Sequence, residues 1–64
     1  MDIEEIYKKV QQVDGLSGMT VNERLWASGL MDTFDHARKN DKELARKILL
    51  TLRVDTPSID KILK

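Results

Sequence analysis

Met19-Thr20-Val21-Asn22-Glu23-Arg24-Leu25-Trp26-Ala27 is the stretch on which the reading of this chain turns. Thr20 and Glu23 have the T-x-x-E spacing of a capping box. The Thr20 hydroxyl accepts the backbone N–H of Glu23, and the Glu23 carboxylate accepts the N–H of Thr20. A helix therefore begins at Val21. Trp26, Ala27, Leu30, Met31, Phe34 and Ala37 then fall on one face at 100° per residue, which predicts a single long helix from Val21 to about Lys39. Val21 and Leu25 fall nearly opposite, beside Ser28 and Gly29. The first half of this helix is thus apolar on two sides, the mark of a helix set between neighbours. Gly29 in a helix interior costs about 1 kcal/mol relative to Ala, and the expectation is that it admits another backbone at close range.

Working outward, Ile3, Ile6, Tyr7, Val10 and Val13 form one apolar stripe and predict a first helix from Asp2 to about Val13. Asp14-Gly15-Leu16-Ser17-Gly18 breaks it, with Gly15 suited to the residue just past a helix end. Residues 1–14 thus read as an N-terminal helix on a glycine-rich joint, able to dock in cis or in trans, and residues 20–63 as the helical core. On the other side, Asn40 and Glu43 repeat the capping signal in weaker form. A third helix is expected from Asp41 to about Leu52, antiparallel to the second, with Leu44, Ala45, Ile48 and Leu52 on its inner face. Thr56 reads as the cap of a short last helix with Pro57 at its first position and Ile59, Ile62 and Leu63 inside. The expectation is one all-α domain over residues 1–64, a small bundle of three longer helices plus a short C-terminal helix.

Composition narrows the chemistry. A chain of 64 residues buries only about 60% of the surface it exposes when unfolded. It has no cysteine and one histidine, which excludes disulfides, thiolate zinc sites and a multi-histidine site within one chain, so no metal or cofactor is expected. Net charge is zero, giving no global pull toward nucleic acid or an anionic membrane. No apolar run reaches the roughly 18 residues of a membrane span. The N-terminal residues are acidic where a signal peptide is basic, and a cytoplasmic protein is expected. The neutral total hides an asymmetry: residues 1–35 hold seven acids and three bases (−4), residues 36–64 eight bases and four acids (+4).

Three sets of residues are candidates for function. Asp32, Asp35 and His36 come nearest to a reactive group, with Asp32 and His36 one turn apart. Nothing at matching spacing supplies a second histidine, a cysteine or a serine, so they read as a solvated polar face, and no enzyme is expected. Lys39, Lys42, Arg46 and Arg53 form a candidate basic face, the last three within a narrow arc of the third helix. Such a face suits phosphates, but the helix lacks side chains that read bases. A small nucleic-acid-binding regulator is therefore the alternative. Val21, Leu25 and Gly29 form a candidate partner interface in the helix-in-groove manner, unless the first or last helix covers them. Trp26, Phe34 and Tyr7 are assigned to the core. The favoured expectation is a non-enzymatic protein–protein interaction module whose partner is another protein or a second copy of itself, with no small-molecule substrate evident.

The succession Met19-Thr20-Val21-Asn22-Glu23-Arg24-Leu25, Gly29-Leu30, Phe34-Asp35, Ala37, Asp41 and Ile48-Leu49, closing with Ile59 to Leu63, resembles a family of small bacterial helical proteins without an assigned activity. The resemblance covers residues 19–63 and leaves Met1–Gly18 outside. It implies a bacterial source and an α-helical fold, brings no activity, cofactor or catalytic residue, and gives Asn22, Glu23 and Arg24 a place beyond capping.

Overall fold

Asp2 opens the first helix by accepting the Glu5 N–H on its carboxylate at 2.9 Å. Acids in the first turn and Lys8 and Lys9 in the last complement the helix dipole. In the computed structural model, which describes residues 2–63, this helix is α1 (Ile3–Gln11), followed by a 3₁₀ turn at Leu16–Gly18. Then come α2 (Val21–Ala27), α3 (Met31–Asn40), α4 (Lys42–Thr51) and α5 (Thr56–Ile62). The fold is all-α, with no strand among the described residues.

The capping box forms as read: Thr20 Oγ1 accepts the Glu23 N–H at 3.2 Å and Glu23 Oε1 accepts the Thr20 N–H at 3.0 Å. The helix it opens is short. The single helix expected to Lys39 is two helices, because a Schellman motif closes α2 after about two turns. The Leu30 N–H donates to the Leu25 carbonyl at 3.0 Å and the Gly29 N–H to the Trp26 carbonyl at 3.1 Å, with Gly29 left-handed at φ 74. Leu25 and Leu30, the apolar pair this motif brings together, are both buried. Gly29 is therefore not a site of close backbone approach. A Cβ there would meet nothing within 4 Å, and glycine is favoured by φ alone.

The break changes which side faces the core. Reading 100° per residue through Gly29 put Trp26 inside and Leu25 opposite. In the fold Leu25 is 2% exposed and Trp26 is 78% exposed. Phe34 and Ala37 are buried as expected, whereas Tyr7 is 55% exposed and lies outside the core to which it was assigned.

The central pair is α3 and α4, joined through Asp41 alone, with α1 and α5 packed on α4 and α2 on α3. Ala45, Ile48, Leu49 and Leu52 are fully buried, together with Ile59 of α5. The N-terminal helix docks in cis: Ile6 and Val10 join the same core, and Leu16 of the 3₁₀ turn seals it. Gly15, left-handed at φ 73, leads into that turn rather than ending α1, whose cap is Gln12.

Two caps fall one residue from where the sequence placed them. Asp41, not Asn40, caps α4, accepting the Leu44 N–H at 3.2 Å. Asn40 ends α3 and donates to the His36 carbonyl. Asp55, not Thr56, caps α5, accepting the Ser58 N–H at 3.1 Å and the Ser58 hydroxyl at 2.8 Å. Those bonds, the hydroxyl's first, hold the Asp55 carboxyl below its ordinary value. A second Schellman motif closes α4, with Arg53 at φ 63 in the position that Gly29 takes in the first.

A candidate interaction surface around Trp26

Arg24 shows how the opening of α2 is fixed to the rest. Its Nε donates to the Met19 carbonyl at 3.0 Å, and its Nη1 donates to the carbonyls of Leu52 at 3.0 Å and Arg53 at 3.1 Å. Those two carbonyls belong to the cap of α4 and the residue after it, where the helix dipole is negative and acceptors lack helical partners. One half-buried guanidinium thus pins α2 and the segment before it to the end of α4. Glu23 is occupied by the capping box, and the Thr20 backbone N–H, followed by its hydroxyl, holds its carboxyl below the ordinary value. Of the three residues the resemblance singles out, Asn22 alone has a free, exposed side chain.

With α2 held in this orientation, its outer side presents Trp26 to solvent. Met19 before the helix and Met31 at the start of α3 flank it, both half-buried, with Ala27 beside them. These four, with Asn22 and Glu23 on the rim, line an open apolar groove of about 690 Å³. Asn22 and Met31 also line the adjoining cleft, which continues past Val21 and Phe34 to Asp35, Arg38 and Ile62. The result is one trough along α2 and α3. It carries no catalytic set. It carries a large ring and two flexible thioethers, side chains suited to moulding around apolar groups.

The residues singled out in the sequence are dispersed. Leu25 is part of the chain's own core, Gly29 is a helix cap, and Val21 packs half-buried against the core at the edge of the adjoining cleft. They do not form one outward face. The basic set is dispersed as well. Lys39 lies in the last turn of α3, and Lys42 begins α4. Arg46 is ion-paired to Asp60 of α5 at 3.0 Å. Arg53 lies beyond the end of α4, in the left-handed conformation that takes it off the arc of Lys42 and Arg46. At 1.5 Å per residue, it sits roughly 16 Å along from Lys42. Asp32, Asp35 and His36 are exposed on α3, and Asp35 meets Arg38 at 3.9 Å. Among the described residues, no group of three or more His, Cys, Asp or Glu side chains is placed to hold a metal ion. No helix among the described residues is long and apolar enough to cross a membrane.

Trp26, assigned to the core from the sequence, is the exposed ring that the helical pattern missed. The signal was present: Leu25-x-x-x-Gly29-Leu30 has the apolar–glycine–apolar spacing of a Schellman motif, and reading it first would have reset the helical phase. No known family model matches this chain, and no curated protein or solved structure matches it either.

Proposed function

We propose that this chain is a non-enzymatic protein-interaction module whose contact surface is the Trp26 groove, not the Val21, Leu25 and Gly29 face. The observation that carries the proposal is the 78% exposure of the only tryptophan, set between two methionines on an outward helix face. Apolar side chains of this size are exposed together where a partner covers them. Tryptophan is prominent among the residues that dominate binding energy. Covering the roughly 150 Å² that Trp26 leaves in water is worth up to about 4 kcal/mol at 25 cal/mol per Å².

The occupant that fits is an amphipathic helix of another protein laid along the trough, with an apolar side chain between Trp26 and Met31. The groove's rim at the Trp26 end carries Glu23, while Arg38 farther along is paired with Asp35, so a basic residue beside the Trp26 end of the apolar stripe complements it. The nucleic-acid alternative has less support in the geometry, since Arg46 is paired with Asp60 and Arg53 lies off the arc.

The test is quantitative binding of the purified chain to a partner identified by crosslinking in the source cell. Trp26→Ala should weaken binding by at least about thirtyfold, a hot-spot loss of 2 kcal/mol or more, while leaving the circular dichroism unchanged. Lys42→Glu with Arg46→Glu should leave binding intact. Binding indifferent to Trp26→Ala, or abolished by the charge reversals, overturns the proposal. If the crosslinked partner is a second copy of the chain, the surface stands but the heterologous helix does not.

A further inference from the structure

The later helices are tied to one another by more than the core. Arg24 fixes α2 to the carbonyls at the end of α4, Asp41 alone separates α3 from α4, and Arg46 of α4 meets Asp60 of α5 at 3.0 Å. The first helix has no such tie. Among the described residues, no hydrogen bond and no ion pair joins residues 2–18 to residues 20–63. The side-chain bond of its own cap, Asp2 to Glu5, is internal.

What holds α1 is apolar packing against α4. Ile6 and Val10 are buried there, while Ile3 and Tyr7, the other apolar side chains of the helix, are exposed. Most of the core lies elsewhere: Leu25, Leu30, Phe34, Ile48, Leu52 and Ile59 all belong to the later elements. A helix of nine residues is not stable alone in water, because its few hydrogen bonds do not repay nucleation. Leaving α4 and melting are therefore one event for α1. The joint permits that event, since residues 12–20 hold Gly15 and Gly18 and reach up to about 30 Å when extended. Release gives up two buried side chains and regains the backbone freedom of one short helix, whereas opening α3 and α4 gives up the rest of the core.

We propose that α1 is a releasable strap, which detaches from α4 and melts while residues 20–63 stay folded. Its release bares an apolar seat on α4, fitted to a helix with apolar residues four apart as Ile6 and Val10 are. No residue of α1 lines the Trp26 groove, so the strap stands or falls independently of that surface.

The experiment has two parts, both on the full chain labelled with ¹⁵N. In native-state hydrogen exchange, the amides of Tyr7 and Val10 should be at least about a hundredfold less protected than those of Ile48 and Leu49, the mark of a separate opening unit. In the second part, an unlabelled peptide of residues 1–18 competes with the tethered helix for the seat. A short flexible tether gives an effective concentration in the millimolar range, so peptide at on the order of 5 mM should send the α1 amides of half the chains to disordered positions while those of α3 and α4 hold. The same peptide carrying Ile6→Asp and Val10→Asp should displace nothing. Ile6→Ala in the chain should lower the peptide concentration required by at least about tenfold, because a buried isoleucine cut to alanine weakens docking by more than that factor. Equal protection of α1 and α4 overturns the proposal. So do α1 amides unmoved at about 20 mM peptide, several times the tethered concentration, or an Ile6→Ala chain that unfolds altogether.

Discussion

Leu25 and Trp26 are neighbours in sequence, and the Schellman break at Gly29 sends them to opposite sides of α2. Truncating each to alanine should therefore give very different costs. Leu25 is fully buried among the core side chains, and replacing a buried leucine by alanine costs about 2–5 kcal/mol through lost transfer energy and the cavity left behind. Trp26 keeps 78% of its surface in water, so its truncation removes only about 50 Å² of buried area, worth roughly 1 kcal/mol. Alanine's better helix propensity returns about half of that. The predicted gap is at least about 1.5 kcal/mol between adjacent positions. A domain of this size has a total stability of roughly 3–10 kcal/mol, so Leu25→Ala should come close to unfolding it. In urea, with a slope near 1 kcal/mol per M, Leu25→Ala should lower the midpoint by about 2 M or more and Trp26→Ala by less than about 1 M. Equal costs, or a larger cost for Trp26→Ala, would refute the reasoning, because that pattern belongs to an unbroken helix from Val21 to Lys39.

Three further outcomes follow from particular contacts. Gly29→Ala has open space for its Cβ, so its cost is the left-handed backbone alone, about 1–2 kcal/mol, read as a lower urea midpoint with unchanged slope. Arg24→Met should destabilise by about 1.5–3 kcal/mol, the value of hydrogen bonds from a charged group. Arg24→Lys should not restore this, since one ammonium cannot span the carbonyls of Met19, Leu52 and Arg53 as the guanidinium does. The carboxyls of Glu23 and Asp55 are held below their ordinary values in the folded chain, so their contribution is present above the unfolded values of about 4.3 and 3.9. It is lost as pH falls through the lower folded values, and urea midpoints from pH 6 downward should fall less steeply in a Glu23→Gln, Asp55→Asn variant than in the parent.

Much of the fold was written in local chemistry. The Thr20–Glu23 box, the stripe of Ile6 and Val10, and the inner face of Ala45, Ile48 and Leu52 depend on residues within a turn or two of one another, and each forms as read. The caps at Asp41 and Asp55 were displaced by one because two neighbouring residues in each case have suitable side chains, and only the angle at which the next helix must pack decides between them. The break at Gly29 was missed for a different reason. Helical periodicity assumes one axis, and Gly29 changes the axis, so Trp26 and Ala27 before it were assigned to the core side of a helix that ends there. The Trp26 groove was hidden by that same error. The strap-like hold of α1 was hidden because its docking on α4 is a contact between distant parts of the chain. Arg24 likewise reaches carbonyls 28 and 29 residues away, and nothing in the local pattern announces it.

The most direct test of the outward-facing Trp26 is acrylamide quenching of tryptophan fluorescence, since the chain has a single tryptophan. The folded chain at low concentration should emit at the wavelength of a free tryptophan amide and be quenched nearly as readily. A blue-shifted, quencher-shielded emission that persists to the lowest concentration would place the ring in the core and contradict the account.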